Sequence, residues 1–158
     1  MITSMTKEQF LIAMRFLASS VSVISAKDSY DNLLAMTASS VTSLTMDPPS
    51  ILVCVNQGAS IHDALIKGKN LCINILQKNQ QEISNLCSSR KQESQRFENN
   101  FWDVSDIPFI KNAQANIFCK VDQTIAYHTH TIVIASVFHS QTAETFNTLM
   151  YADGGYLD

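Results

Sequence analysis

The apolar positions along the chain change rhythm several times. Over residues 6–19 they recur at helical spacing, with Phe10, Met14 and Leu17 on one stripe. Thr6 stands where a cap belongs, and Gln9 completes a capping box three residues on, so the pattern predicts a helix over 6–19. "SVSVISA" (20–26) is short, β-branched and alternating, which predicts a strand. "KDSYDN" (27–32) has the polar make-up of a hairpin loop. Residues 33–46, rich in Thr, Val and Leu, predict one long strand or two short ones. Asp47-Pro48-Pro49 ends that ladder, because proline has no backbone N–H to donate. "SILVCVN" (50–56) is a continuous apolar run, the pattern of a strand buried on both faces.

The second half repeats these signals. "GASIHDALIKG" (58–68) predicts a short helix capped by Ser60, with Asp63 in its first turn and Gly68 as terminator. "NLCINIL" (70–76) predicts a strand, and residues 79–89 a second helix with Asn79 and Glu82 in capping positions. "SSRKQESQRFENN" (88–100) is polar and predicts a mobile surface loop. Two long strands are predicted at 115–127 and 130–140. Six or more strands with three helices inserted irregularly argue against a doubly wound parallel sheet. They fit a mainly β, mostly antiparallel barrel with peripheral helices.

Composition narrows the function. At 158 residues, 46% hydrophobic and 16% charged, the chain suits a single domain with a proper core. Its net charge of −3, from 11 basic and 14 acidic residues, offers no basic excess for nucleic acid or an anionic membrane. No apolar run approaches the roughly 20 residues of a membrane helix, and Lys7 and Glu8 stand where a signal peptide would need its apolar region. A cytoplasmic location is expected. Cys54, Cys72, Cys87 and Cys119 are widely spaced and read as reduced, buried thiols.

The usual catalytic signatures are missing. There is no Gly-x-x-x-x-Gly-Lys-Ser/Thr, no Gly-x-Gly-x-x-Gly and no Gly-x-Ser-x-Gly. His128 and His130, two apart in a strand-like run, would share a face, but no third metal ligand accompanies them, so no metal is assigned. What remains is an array of hydroxyls and backbone amides. Asn56, Gln57 and Ser60 precede a predicted helix start, and Ser39 and Ser40 lie between strand segments. Such groups can converge on a phosphate, or they can be ordinary strand and capping residues.

Taken in order, "AMTASSVTSLTMDPPSILVCVN", "SIHDAL", "LCINIL" and "HTIVIASV" resemble the flavin reductase family of FMN-binding split barrels, the small reductase components of two-component flavin monooxygenases. The resemblance runs from about residue 8 to the C-terminus. It implies an antiparallel split β-barrel that forms a homodimer, with FMN or FAD bound near the subunit interface and NADH or NADPH as co-substrate. By position, it implies that Ala35, Met36, Thr37, Ser39, Ser40 and Val41 line the ring and ribityl chain. The segment Val55, Asn56, Gln57, Ser60, Ile61, His62 would cradle the phosphate. His130 matches a family histidine on the nicotinamide side, and Tyr156 an aromatic of the C-terminal strand. The chain departs from the family at Ala35, where Gly is frequent. Family members often carry an arginine early in the second helix. "SNLC" (84–87) has none in register, and Arg90 or Lys91 stands nearby.

The implied reaction is hydride transfer from the dinucleotide to the flavin, with a separate flavin-dependent monooxygenase receiving the reduced product. Hydride transfer needs positioning and shielding rather than a protein base, which accords with the missing dyad. His130 is then a positioning residue. A flavin-binding electron carrier or redox sensor on the same fold is the alternative, and a pyridoxamine phosphate oxidase-like or haem-binding barrel a weaker one.

Overall fold

The computed structural model describes residues 3–158. Helix α1 (Ser4–Arg15) leads into the short strand β1 (Ser19–Ser20). Then come β2 (Ser22–Lys27), β3 (Leu33–Ala38), β4 (Val41–Met46), β5 (Pro49–Asn56), β6 (Asn70–Ile75) and helix α2 (Gln81–Ser88). The chain ends with β7 (Trp102–Asp103), β8 (Phe109–Ile110), β9 (Ala115–Tyr127), β10 (His130–Thr142), β11 (Met150–Ala152) and β12 (Gly155–Leu157).

Seven strands form one antiparallel sheet in the order β3-β2-β6-β9-β10-β5-β4. Its two outermost strands, β3 and β4, are consecutive in sequence and joined only by Ser39 and Ser40. A sheet whose edges are tied by two residues has to curl on itself, yet β3 and β4 are not paired, so the barrel stays split there. Ser40 repairs part of that edge. Its Oγ accepts from the Cys54 N–H (3.3 Å) and donates to the Cys54 carbonyl (3.0 Å) where β4 has not yet begun. The expected mainly β split barrel with peripheral helices is the observed architecture.

Two cores share this sheet. Ile24, Val53, Val55, Ile61, Leu65, Leu71, Ile73 and Val133 fill the barrel interior. Val23, Leu76, Ile83, Trp102, Ile110 and Leu149 form a second core between the outer face of β2 and α2. The alternating stretch of β2 is therefore buried on both faces, while the continuous run of β5 alternates. Ile51, Val53 and Val55 point inward, and Leu52 and Cys54 are left half-exposed outside. The sequence expectation for β5 is overturned because the outer layer covers β2 and not β5.

Several helix boundaries also differ. Helix α1 starts at Ser4 with Thr3 as its cap, the Thr3 Oγ1 accepting from the Thr6 N–H (3.2 Å), and it stops before Leu17. Residues 58–68 form no helix beyond one 3-10 turn at His62–Ala64, and Ser60 caps nothing. Ile61 and Leu65 serve there as barrel contents. Gly68, at φ 87°, sits in the turn into β6 instead of ending a helix. Helix α2 is introduced by a 3-10 turn whose capping box is Gln77 with Gln80, not Asn79 with Glu82. His128 lies in the β9–β10 turn at φ 49°, so it does not share a strand face with His130.

Burial pushes the Cys87 and Cys119 thiols up to about 12, and Cys72 higher still. All four cysteines are free thiols, and only Cys54 escapes full burial. One buried polar knot spans the sheet. Asn74 donates to the Val23 carbonyl (2.8 Å) and Ser25 Oγ (2.9 Å), and accepts from the Ile110 N–H (2.8 Å) and Asn116 Nδ2 (2.8 Å).

Candidate functional site

Two clefts lie along the free edge of β3. The first, about 440 Å³, is bounded by Ala35, Met36 and Thr37 of β3, by Asn56, Gly58 and Ser60 after β5, and by Arg90 and Arg96 beyond α2. The second, about 470 Å³, continues past Thr37 to Ser39 and is walled by Asn85, Tyr151 and Tyr156. Thr37 and Ser88 belong to both. Together they form one groove, of mixed polar and apolar lining, of the size small-molecule sites take.

Local structure explains why these residues meet. The edge β3 has no partner opposite β2, so alternate residues present backbone N–H and C=O groups to the groove. Thr37 Oγ1 donates to the Ser84 carbonyl (2.7 Å), docking β3 against α2. After β5, Asn56 Oδ1 accepts from the Gly58 N–H (2.8 Å) and tightens the turn that carries Ser60. Tyr156 arrives on the β11–β12 hairpin. Its two-residue turn, Asp153-Gly154, has both φ values positive, as a type I′ turn requires. The Tyr156 hydroxyl donates to Ser84 Oγ (2.9 Å) or Asn85 Oδ1 (2.8 Å). Arg15 clasps the same turn through Asp153 Oδ1 (3.2 Å) and the Asp153 carbonyl (3.0 Å).

The groove thus gathers Ala35, Met36, Thr37, Ser39, Asn56, Ser60, Arg90 and Tyr156 from the sequence candidates. Others lie elsewhere. Val55 and Ile61 are fully buried in the barrel core, and Val41 packs against it. Ser40 is spent on Cys54. Gln57 donates its amide to the His130 carbonyl (3.1 Å) and its N–H to the Thr129 carbonyl (2.9 Å). His62 bridges Asp63 (2.9 Å) and Thr131 (2.9 Å). His130 stands opposite Asn56 in the β5–β10 ladder, exposed, with Nδ1 against Thr129 Oγ1 (2.9 Å). Ala35 turns its methyl into the second core, so the departure from glycine adds no bulk to the groove.

The expected mobile loop holds the residue that sequence reading missed. Residues Arg90–Gln95 form a 3-10 stretch, and Arg96 is 6% exposed. The available signal was aromatic: Phe97, Phe101 and Trp102 punctuate an otherwise polar run and pack into the second core. Arg90, by contrast, is exposed at the groove mouth and donates to the Gly58 carbonyl.

A family model described as flavin reductase like domain matches residues 14–158. The chain is 33% identical over 152 residues to the FMN reductase (NADH) RutF of Pseudomonas syringae pv. syringae, covering 95% of this chain and 85% of that protein. It is 32% identical over 154 residues to the reductase component of the FADH(2)-dependent resorcinol hydroxylase of Rhizobium sp., covering 94% and 85%. The fold matches the styrene monooxygenase flavin reductase SMOB of Pseudomonas putida S12 with a TM-score of 0.84 at 27% identity, covering 94% of this chain and 96% of that one.

Proposed function

The chain belongs to the flavin reductase-like family, and we propose that the groove along β3 is where it brings flavin and dinucleotide together. It is an NADH-dependent flavin reductase that supplies reduced flavin to an oxygenase. The observation that carries the assignment to this groove is the convergence of β3, the turn after β5 and the end of α2 on one cleft of about 440 Å³.

The residues there suit FMN or FAD. Edge N–H groups of β3 and the hydroxyls of Thr37 and Ser39 are donors for ring and ribityl oxygens. Asn56, Ser60 and Arg90 suit the phosphate. When bound, the flavin supplies the hydride-accepting ring. The protein's work is to hold that ring against the nicotinamide and exclude water. Tyr156 closes one end of the groove, and His130, beside Asn56, is the candidate for the nicotinamide side. The free thiols and the need for NADH suit the cytoplasm.

Purified protein is expected to oxidise NADH only when flavin is added. A steady-state matrix of FMN and FAD against NADH and NADPH fixes the preferred pair. No turnover with any combination would overturn the assignment.

We further propose that the protein works as a homodimer. Helix α1 buries none of its twelve residues, although Phe10, Leu11, Ile12 and Met14 lie on it and Phe16 and Leu17 follow it. A helix this short is marginal in water without packing. Outside the barrel, Leu52 opposite Ile134 and Cys54 opposite Ile132 form half-exposed apolar pairs on β5 and β10. A second copy would cover such a surface. Sedimentation is expected to give a dimer, and Phe10→Glu with Leu52→Glu should shift it to monomer. A monomeric wild-type protein at micromolar concentration would refute this.

A further inference from the structure

Among the described residues Arg96 is the one buried charged side chain. Its three nitrogens are each committed. Nη1 donates to the Ala35 carbonyl (2.7 Å), Nε to the Leu86 carbonyl (3.2 Å) and Nη2 to the Ser89 carbonyl (3.0 Å). Leu86 lies in the last turn of α2 and Ser89 just past it, where orphan carbonyls and the negative dipole end favour a cation. The Arg96 carbonyl accepts from Trp102 Nε1 (2.7 Å) and Asn99 Nδ2 (3.0 Å), and Phe97 packs tilted against Trp102 with ring centroids 4.5 Å apart, so its backbone is fixed as well. Glu93, 3.5 Å away, is its single carboxylate partner.

The consequence falls on the free edge of β3. In a strand the N–H and C=O of one residue point to the same side. The Ala35 carbonyl points to Arg96, so the Ala35 N–H points to the groove side too, and the Thr37 N–H, two residues on, shares that side. Arg96 takes up the acceptor and fixes the separation between β3 and the end of α2. The N–H donors of Ala35 and Thr37 are left for a ligand in the groove.

We propose that Arg96 is a positioning residue for the flavin. It holds the Ala35–Thr37 edge at the spacing that lets those N–H groups meet the ring and ribityl oxygens, and its buried charge favours the partial negative charge of those oxygens in a low-dielectric wall. Three of its five N–H donors go to backbone carbonyls and Glu93 lies against Nη1, so its role is to brace the wall and not to bind the phosphate. This rests on the groove being the flavin site.

The test uses Arg96→Lys and Arg96→Gln in the full chain, with affinity for FMN and for riboflavin read by fluorescence quenching. The lysine keeps the charge but not the three-way grip. In both variants Kd for FMN and riboflavin is expected to rise by the same factor, about tenfold or more. KM for NADH at saturating flavin should stay within about twofold, and the lysine variant should melt within a few degrees of wild type. Unchanged flavin affinity overturns the proposal, as does a loss confined to FMN, which would make Arg96 a phosphate ligand. Parallel loss of flavin and NADH affinity with a large fall in melting temperature also overturns it, marking a purely structural role. Should neither variant fold, the wild-type chain decides: the Ala35 and Thr37 amide resonances are expected to shift when riboflavin is added, and unmoved amides refute the idea. A wild type that binds flavin elsewhere or not at all takes the groove assignment down with it. A wild type that binds in the groove while the Arg96 arms fail removes only this inference.

Discussion

Asn74→Ala is expected to lower the free energy of unfolding by about 3–5 kcal/mol. Asn74 is completely buried, and its amide serves β2, β8 and β9 at once. Alanine removes both ends of that amide and leaves the Ile110 N–H and one proton of Asn116 Nδ2 dry and unpaired. Each buried orphan costs about 1–3 kcal/mol, and the small cavity adds to this. For a chain of this length such a change lowers the melting temperature by roughly 10 °C. Asn79→Ala, at an exposed position beside α2, should stay within about 0.5 kcal/mol. Denaturant titration of the two variants side by side decides the matter. A loss below about 1 kcal/mol at Asn74 would show that water or a shifted neighbour takes over its bonds.

How far the sequence reached can be read from particular elements. The strand predicted over 115–127 has the observed bounds, because β-branched and aromatic residues recur along it and no glycine or proline interrupts it before the hairpin turn. The β3–β4 break was visible in its serines, but their use was not. Ser40 serves the edge of β5, a partner fourteen residues away, and no local pattern encodes that. Ser60, Asp63 and Gly68 carry the end signals of a helix over 58–68, but Ile61 and Leu65 fill the barrel interior, where a single 3-10 turn is enough. For β5, continuity suggested the wrong burial, since the second face of a strand depends on which distant segment packs over it. The groove itself was partly legible: Met36, Thr37, Ser39, Asn56 and Ser60 line it. Arg96 was hidden by composition. A polar stretch suggests solvent, and only three-dimensional closure turns one arginine in it into the brace of β3.

Arg90→Ala should weaken FMN binding by about tenfold and leave riboflavin untouched. Arg90 stands at the groove mouth beside Ser60 and Asn56, exposed, with only the Gly58 carbonyl as its partner. That carbonyl is a neutral acceptor which a phosphate dianion can outcompete. A charge-assisted hydrogen bond to phosphate contributes about 1.5–3 kcal/mol. Exposure to solvent places Arg90 at the lower end, which corresponds to roughly a tenfold change in Kd. Riboflavin has no phosphate, so its affinity isolates the rest of the groove. Raising salt should shrink the FMN advantage of the wild type, because an exposed ion pair is screened over about 10 Å at 0.1 M. The pattern is the opposite of the one expected at Arg96, where both ligands weaken together. Equal losses for FMN and riboflavin in Arg90→Ala would mean that the side chain merely holds the Gly58 turn. No loss for either would leave Lys91 or Ser60 to meet the phosphate alone.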